Sequence, residues 1–250
     1  MANRIISVVS GKGGVGKTVT SLNVGLALHN FGEDVVVVDA DITASNLGLH
    51  IGLYNFPHSL QDVLNKGLDI EKAIYMHHTG LRVVPASINL DSLEADIKKL
   101  KSVLREVPAD IVIVDAPPGI NEEVLKVLDA SNEALVVTNP EIPTVTNAMK
   151  LAKVAESMKT HVQGVVVNRY SGAPYELTPE EIEMMIESYL FGIVPEDYVI
   201  KESIYNKIPV VAYKPYSDAA LAFKQIAAKL IGKTYQPPRF LKLKRLLGLL

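Results

Sequence analysis

Short apolar runs alternate with longer amphipathic stretches along the chain. The apolar runs are rich in β-branched residues and lack a polar face, as strands buried on both sides of a parallel sheet do. They lie at residues 5–9, 35–38, 81–84, 111–114, 134–137, 162–167 and 190–194. Amphipathic stretches at 17–30, 90–106, 120–130, 143–159, 178–188 and 217–231 predict helices between them. This alternation predicts an α/β fold: a mostly parallel, doubly wound sheet flanked by helices, with right-handed crossovers.

Helix starts and one break in the pattern predict the domain organisation. Thr178 precedes Pro179 and two glutamates, the order of a cap, a first-turn proline and first-turn acids, and Ser217 precedes the last predicted helix of the domain. The break is GKTYQPP, residues 232–238. We therefore predict one domain over residues 1–231, a linker over 232–238 and a separate terminal segment over 239–250.

A glycine-rich segment, GKGGVGKT at residues 11–18, follows the first predicted strand and opens the first predicted helix. It fits G-x-x-x-x-G-K-[ST], the phosphate-binding loop of P-loop NTPases. Glycines let backbone N–H groups curl around phosphate oxygens, and the helix N-terminus adds its positive end. Lys17 is expected to reach the β- and γ-phosphates and Thr18 to bind Mg²⁺. The alternative is a glycine-rich turn without a ligand. The predicted nucleotide-binding residues of the loop are Gly11, Lys12, Gly13, Gly14, Val15, Gly16, Lys17 and Thr18.

Carboxylates follow two of the predicted strands. Asp115 ends the run IVIVD, and Asp39 and Asp41 end the run VVVVDAD. The carboxyl ends of parallel strands form the edge where ligands bind in open α/β sheets. We expect Asp115 and Asp39 to lie near the Mg²⁺, Asp39 as an outer group, and Asp41 to orient the attacking water. Charged turns that only cap strand ends are the alternative.

The extra lysine of the loop, Lys12, carries a family resemblance. KGGVGKT with Lys12 resembles the deviant phosphate loop of the MinD/ParA ATPases, and DADITASNL and DAPPG resemble that family's two switch segments. The resemblance implies ATP and ADP as ligands and a homodimer closed around two ATP molecules. In such a dimer, Lys12 of each subunit reaches the phosphates bound to the partner subunit. Lys12 therefore joins Lys17 and Asp41 as a catalytic candidate. The alternative is that Lys12 folds back on its own loop.

The same resemblance implies where the base binds. Asn168-Arg169 ends one predicted strand, and GIVPED (192–197) ends the next. In the family such segments cradle adenine through the asparagine side chain and through backbone near Pro195, so Asn168, Arg169, Pro195 and Asp197 are candidate contacts. The N-K-x-D pattern of guanine readers is missing, which favours ATP over GTP. The alternative for Asn168 is a turn amide.

Composition narrows the classes of function. There are no cysteines, which excludes disulfides, thiolate catalysis and cysteine-ligated metal clusters. Neither a secretory signal nor an apolar run that could cross a bilayer is apparent, so a cytoplasmic protein is expected. The net charge of −3 is unevenly distributed, because residues 219–250 contain seven Lys or Arg and no acidic residue. The remainder therefore carries about −10, which makes nucleic acid an unlikely partner for the body.

The last fourteen residues, PPRFLKLKRLLGLL, predict a basic amphipathic helix. Phe240, Leu243, Leu246, Leu247 and Leu250 share one face, and Lys244 and Arg245 lie on the other. Such a helix at a chain end is typical of binding to an anionic membrane surface, and it resembles the membrane-targeting helix that ends MinD proteins. The alternative is docking on the protein's own body or on a partner.

These observations predict an ATPase that dimerises on ATP and attaches reversibly to the inner face of the cell membrane. It would place the division site or another assembly, with protein regulators as further partners. The alternatives are a ParA-type DNA-segregation ATPase, a flagellum-placement ATPase of the FlhG type, and a nucleotide-gated adaptor with negligible turnover. A metal-cluster carrier is disfavoured because the chain has no cysteine.

Overall fold

The computed structural model describes residues 2, 4–88, 95–239 and 241 of the 250-residue chain. The residues of the predicted amphipathic face at 240–250 therefore lie outside the described residues. The first part of the predicted helix 90–106 lies outside them as well.

The described residues form one eight-stranded sheet in the order β3-β4-β2-β5-β1-β6-β7-β8. All neighbouring strands are parallel except β3 and β4. The seven predicted strands are confirmed, and only the two-residue edge strand β3 was too short to show a pattern. The strands are β1 Arg4–Ser10, β2 Val35–Asp39, β3 Tyr75–Met76, β4 Arg82–Val84, β5 Ile111–Pro118, β6 Glu133–Thr138, β7 His161–Tyr170 and β8 Leu190–Pro195.

Helices connect the strands and cover both faces of the sheet. They are α1 Lys17–Asn30, α2 Leu47–His50, α3 Leu60–Lys66, α4 Leu100–Glu106, α5 Glu122–Ala130, α6 Ile142–Ser157, α7 Pro179–Ile186, α8 Val199–Tyr205, α9 Val210–Tyr213 and α10 Asp218–Leu230, with 3₁₀ turns at Ile70–Ala73 and Ile97–Lys99. Two apolar cores result, one on each face. One packs α3 to α7 against the sheet, and the other packs α1, α9 and α10. This is the doubly wound arrangement that the alternating pattern predicts.

Local signals account for most helix boundaries. Thr178 and Ser217 cap α7 and α10 as predicted, and Thr178 forms a capping box with Glu181. The helix predicted at 90–106 is too long over its described residues: residues 95 and 96 are not helical, Ile97–Lys99 form a 3₁₀ turn, and α4 begins at Leu100. The short helices α2, α3, α8 and α9 were not predicted, because four to seven residues give too little periodicity.

The topology brings the candidate residues to one edge. β1 lies between β5 and β6, so the loop after β1 is flanked by the carboxyl ends of both neighbours. β2 and β7 continue the same edge on either side. None of the described helices is long and apolar enough to cross a membrane.

Candidate functional site

The loop between β1 and α1 adopts a conformation that requires glycine at two positions. Gly14 and Gly16 have φ angles of +80° and +97°, in the left-handed region that L side chains rarely adopt. A Cβ atom at Gly16 would lie 2.1 Å from the Nδ2 atom of Asn168, whereas one at Gly14 would meet nothing within 4 Å. Gly16 therefore lets the loop pack against β7, and Gly14 lets it turn. Gly16 is also the N-cap of α1, so the first backbone amides of that helix face the loop without a capping side chain.

The two lysines of the loop have opposite environments. Lys17, the first residue of α1, is buried, with 9% of its surface exposed, and its charge acts on Asp115. Lys12 is exposed. The Ser10 hydroxyl donates to the Lys12 carbonyl oxygen at 2.9 Å, which fixes the backbone of the loop and leaves the Lys12 side chain at the surface. The loop thus presents one cation to its interior and one to its exterior.

Asp39 and Asp115 lie side by side at the ends of two neighbouring strands. They are register partners in the β2–β5 pair, and 0% and 1% of their surfaces are exposed. Burial raises the pKa of Asp115, while the Lys17 charge and hydrogen bonds from Thr18 and Ser21 oppose that rise. The Ser21 hydroxyl lies 2.9 Å from an Asp115 carboxylate oxygen. Asp115 is thus a buried carboxylate with Thr18 and Lys17 beside it, which suits a Mg²⁺ ion bound to a phosphate.

The Asp39 carboxylate is hydrogen-bonded to the loop that follows β2. It accepts hydrogen bonds from the amide of Asp41 at 3.1 Å, the hydroxyl of Ser45 at 2.7 Å and the amide of Leu47 at 3.3 Å. Burial, followed by the neighbouring charge of Asp115, raises the pKa of Asp39 to about 7. These bonds suit Asp39 to the outer position predicted for it, since its oxygens already have donors.

Asp41, the candidate for orienting water, lies in the loop that follows β2. It is 7% exposed, and one of its carboxylate oxygens accepts the amide of Ala44 at 3.0 Å. The Thr43 hydroxyl reaches the Glu123 carboxylate on α5 at 3.1 Å, so this loop contacts the segment that follows β5.

The segment after β5 is tied to β1. The amide of Gly119 donates to the carbonyl oxygen of Ser10 at 2.9 Å, and Gly119 has a φ angle of +95°. Asn121 then caps α5 by accepting the amide of Val124. Each of the two predicted switch segments therefore begins at a buried aspartate, Asp39 or Asp115. Each then crosses the carboxyl edge of the sheet beside the glycine loop.

Asn168 binds the glycine loop directly. Its Nδ2 atom donates to the carbonyl oxygen of Val15 at 2.7 Å, and the residue is 2% exposed. Its Oδ1 atom is buried and has no hydrogen-bond partner. A buried acceptor without a donor is costly, so this oxygen marks a place for a donor from a ligand. Adenine offers such a donor in its exocyclic amino group, whereas guanine has a carbonyl oxygen at the corresponding ring position.

The other base candidates occupy the same edge. Arg169 is exposed and has a φ angle of +59°. Pro195 ends β8 and pairs in register with Tyr170. The Asp197 carboxylate accepts the amides of Val199 at 3.0 Å and of Ala219 at 3.3 Å, so it links α8 to α10. Contact of these residues with a base remains a prediction.

A cavity of about 470 Å³ opens directly after Asp197. Its walls come from the start of α8 and from the end of α9 with the segment that follows it. Thirteen residues of the chain separate Val199 from Tyr213, the first lining residue of that second wall. No sequence pattern indicates that these two segments meet. The lining residues are Tyr198, Val199, Tyr213, Lys214, Pro215, Tyr216 and Ser217.

Three further residues of the site were not predicted. Ser21 reaches Asp115 from the second turn of α1, and Ser45 bridges Asp39 to the carbonyl oxygen of Ala86 at 2.9 Å. Ser45 lies within the segment DADITASNL, but nothing in that pattern predicts its bond to Asp39, and Ser21 stands outside the quoted motifs. Asn139 follows the end of β6, and its amide, in the orientation that satisfies its hydrogen bonds, donates to Val15 at 3.2 Å. The sequence feature that points to Asn139 is its position after a predicted strand, at the edge of the sheet where ligands bind.

The residues present fit a Mg²⁺-nucleotide. The left-handed glycines and uncapped helix start form a cradle for phosphates, Thr18 and Asp115 supply oxygen ligands for the ion or its waters, and Asn168 offers an unused acceptor.

Comparisons with known proteins agree with this geometry. A family model named ParA, described as NUBPL iron-transfer P-loop NTPase, matches residues 1–231. The chain is 40% identical to an uncharacterised ATP-binding protein of Methanocaldococcus jannaschii, over 92% of this chain and 89% of that one. It is 33% identical to the septum site-determining protein MinD of Synechocystis, over 92% of this chain and 90% of that one.

A solved structure shows the same fold with a ligand. The septum site-determining protein MinD of Pyrococcus horikoshii, complexed with Mg-ADP, superposes with a TM-score of 0.87 at 35% identity. The match covers 91% of this chain and 95% of that one.

Proposed function

This chain belongs to the ParA family of P-loop NTPases, and from that premise we propose that it is a MinD-like ATPase. It binds Mg²⁺-ATP at the carboxyl edge of the sheet, dimerises on ATP, attaches reversibly to membrane and hydrolyses ATP to release itself. The glycine loop and Lys17 bind the phosphates, Thr18 and Asp115 face the ion, and Asn168 accepts from adenine. Thr18 and Asp115 would hold a Mg²⁺ ion or its waters, and the ion would supply positive charge that neutralises the phosphates.

The observation that carries this proposal is that Lys17 is buried whereas Lys12, in the same loop, is exposed. A site that acts alone needs only the buried Lys17 to balance its phosphates. Lys12 emerges from the same loop into solvent, and no ion pair within the described ranges includes it. An exposed cation on a phosphate loop supports contact with the triphosphate of a second subunit. It would there lower the charge repulsion, as an arginine finger does.

Hydrolysis is assigned to Asp41 acting on water. Its loop is held by the Ala44 amide and by Asp39, so the Asp41 carboxylate is restricted in orientation before ATP binds. Restricting a water-orienting group in advance lowers the entropy lost in the transition state. Lys12 from the partner subunit would then stabilise the developing charge, which makes turnover depend on the dimer.

Membrane attachment is assigned to residues 239–250. Burying five large apolar side chains gains roughly 8–12 kcal/mol before costs, and ordering about twelve residues costs roughly 12 kcal/mol or more. One tail therefore binds lipid weakly, whereas two tails in a dimer gain on the order of 100-fold by effective concentration. ATP thereby controls lipid binding through dimerisation.

The test is co-sedimentation with anionic liposomes in ATP and in ADP, for the full chain and for a chain lacking residues 238–250. We expect sedimentation only for the full chain with ATP. Equal sedimentation with ATP and ADP would contradict the nucleotide switch, and sedimentation of the shortened chain would contradict the tail assignment.

The dimer is tested with two matched lysine variants. Lys17→Ala should lose ATP binding by more than about 100-fold, because a buried phosphate-facing cation is removed. Lys12→Ala should retain ATP binding but remain a monomer in analytical ultracentrifugation. A Lys12→Ala protein that still dimerises with ATP would refute the role in the partner site.

The cellular role proposed is placement of the division site or of another assembly, with protein regulators that bind the ATP-loaded dimer. MinD relatives carry the name septum site-determining protein. Release of inorganic phosphate separates this ATPase from a nucleotide-gated adaptor. The description of the family model also names iron transfer. The chain contains no cysteine, so it has no thiolate that could bind iron.

A further inference from the structure

The chain directly beyond α10 stays in contact with the body. α10 ends at Leu230, and Gly232 follows with a φ angle of +66°. The amide of Gly232 donates to the carbonyl oxygen of Lys229 at 3.1 Å, and the amide of Lys233 donates to that of Ala228 at 2.8 Å. This is the hydrogen-bond pattern of a glycine-terminated helix end, and it turns the chain back across the end of α10.

Two side chains then attach this segment to the end of α1. The Lys233 Nζ atom lies 3.0 Å from the Glu33 carboxylate, and the Tyr235 ring packs against Phe31 with 5.9 Å between ring centroids. Phe31 is the C-cap residue of α1. The segment is therefore attached to the far end of the helix whose first turn faces the phosphate loop.

A lysine on α10 completes the contact. The Lys224 Nζ atom lies 5.7 Å from the Tyr235 ring centroid and 5.2 Å from that of Tyr216. It also donates to the carbonyl oxygen of Pro215 at 2.6 Å, which keeps the ammonium group in place. A part-buried cation over an aromatic face adds a favourable contact to the apolar packing of Tyr235.

The end of α10 is in turn anchored to the sheet. Arg4, the first residue of β1, donates from Nη1 to the carbonyl oxygen of Leu230 at 2.9 Å and from Nη2 to Glu133 at 2.7 Å. The segment after α10 therefore starts from a fixed point. Pro237 and Pro238 follow Tyr235 after one residue, and consecutive prolines favour a stiff extended chain.

We propose that residues 232–235 are a docked root that fixes where the terminal segment leaves the body, with Tyr235 as its positioning residue. The root is the first part of the linker that the sequence predicts at 232–238. This inference rests on the proposed function of residues 239–250 in lipid binding, although the docking itself can be measured without lipid.

The docked root shortens the free connection. Four peptide bonds separate Tyr235 from Arg239, where the terminal segment begins, whereas eight separate Ile231, the C-cap of α10, from Arg239. The effective concentration of a tethered group falls roughly as the −3/2 power of tether length, so release of the root should weaken paired lipid binding by about three-fold.

Docking is tested by electron paramagnetic resonance on a single nitroxide label. The chain has no cysteine, so Gln236→Cys supplies a unique attachment point beside the root. We expect a slow-motion spectrum in the parent and in Tyr235→Phe, which keeps the ring, and a fast-motion spectrum in Tyr235→Ala and in Phe31→Ala. Equal label mobility in the parent and in Tyr235→Ala would overturn the docked root.

The positioning role is tested by liposome titration with ATP. Tyr235→Ala should bind about three-fold more weakly than the parent, and Tyr235→Phe should match the parent. Unchanged lipid affinity in a Tyr235→Ala protein with a freed label would overturn the positioning role alone. Absence of ATP-dependent lipid binding in the parent would instead contradict the proposed function, while the label spectra would still decide the docking.

Discussion

The two ends of α1 are held by different kinds of interaction. Its first turn contains the buried Lys17 and lies beside the buried Asp115, whose neighbour Asp39 is buried as well; the oxygens of both aspartates have specific hydrogen-bond partners. Its last turn meets Tyr235 and the ion pair between Lys233 and Glu33, which are partly exposed. Buried charges cost several kcal/mol unless they are paired, whereas exposed ion pairs contribute about 1 kcal/mol or less.

This difference separates a site that must be formed in advance from a contact that can be released. At the phosphate end, each group depends on its neighbours, so single substitutions should have large effects on stability or binding. At the root, the docking energy is divided among several weak contacts. Single substitutions there should therefore change the stability little and should mainly increase local mobility.

The largest expected effect comes from the glycine that faces Asn168. Gly16→Ala adds a Cβ atom 2.1 Å from Nδ2 of Asn168 and forces a residue with a side chain to φ +97°, so we expect a loss of about 3 kcal/mol or more. Gly14→Ala is the matched control, because it has the strain at φ +80° without the clash and should lose about 1 kcal/mol. Urea unfolding measures both, and equal losses would show that contact with β7 does not restrain the loop.

The second effect is a pH dependence at the same end. The pKa of Asp39 is raised to about 7, above its usual 3.8, so folding favours the protonated carboxyl. The free energy of unfolding should therefore fall as pH rises from about 4 to 7, and level off above 7. Between pH 5 and pH 7, the free energy of unfolding of the nucleotide-free protein should fall by about 2 kcal/mol more than that of Asp39→Asn. Parallel pH profiles of the two proteins would contradict the buried-carboxylate account.

The third effect concerns base selection. Asn168→Ala removes the hydrogen bond to Val15 and the unused Oδ1 acceptor, so ATP affinity should fall about ten-fold. Affinity for GTP should fall less, because guanine has no donor for that acceptor at the corresponding position. Fluorescent nucleotide titrations give both values, and an equal loss for ATP and GTP would mean that Asn168 acts only on the loop.

The smallest effect is expected at the root. Lys233→Met removes the exposed ion pair with Glu33 and should change the free energy of unfolding by at most about 0.5 kcal/mol. Raising the salt concentration should shrink this difference further. A loss above about 2 kcal/mol would show that the root is as tightly coupled to the core as the phosphate end.

Much of the fold was predictable because its strands are buried on both faces. Runs such as residues 35–38 and 111–114 have one interpretation in an α/β pattern, and the glycine loop has a specific motif. The elements that were missed are short, as α2 and β3 are, or depend on distant contacts. The helix prediction at 90–106 was wrong for residues 95–99, where two non-helical residues and a 3₁₀ turn precede α4.

The sequence alone determined the phosphate loop, the carboxylates at strand ends and the alternation that gives a doubly wound sheet, because these follow from local chemistry and periodicity. Only the tertiary structure decided that Ser21 and Ser45 serve the buried aspartates, that Asn168 keeps an unused oxygen, and that Tyr235 returns to Phe31. Those contacts join residues of separate elements, and their energies depend on burial and on distances that exist only when the chain is folded.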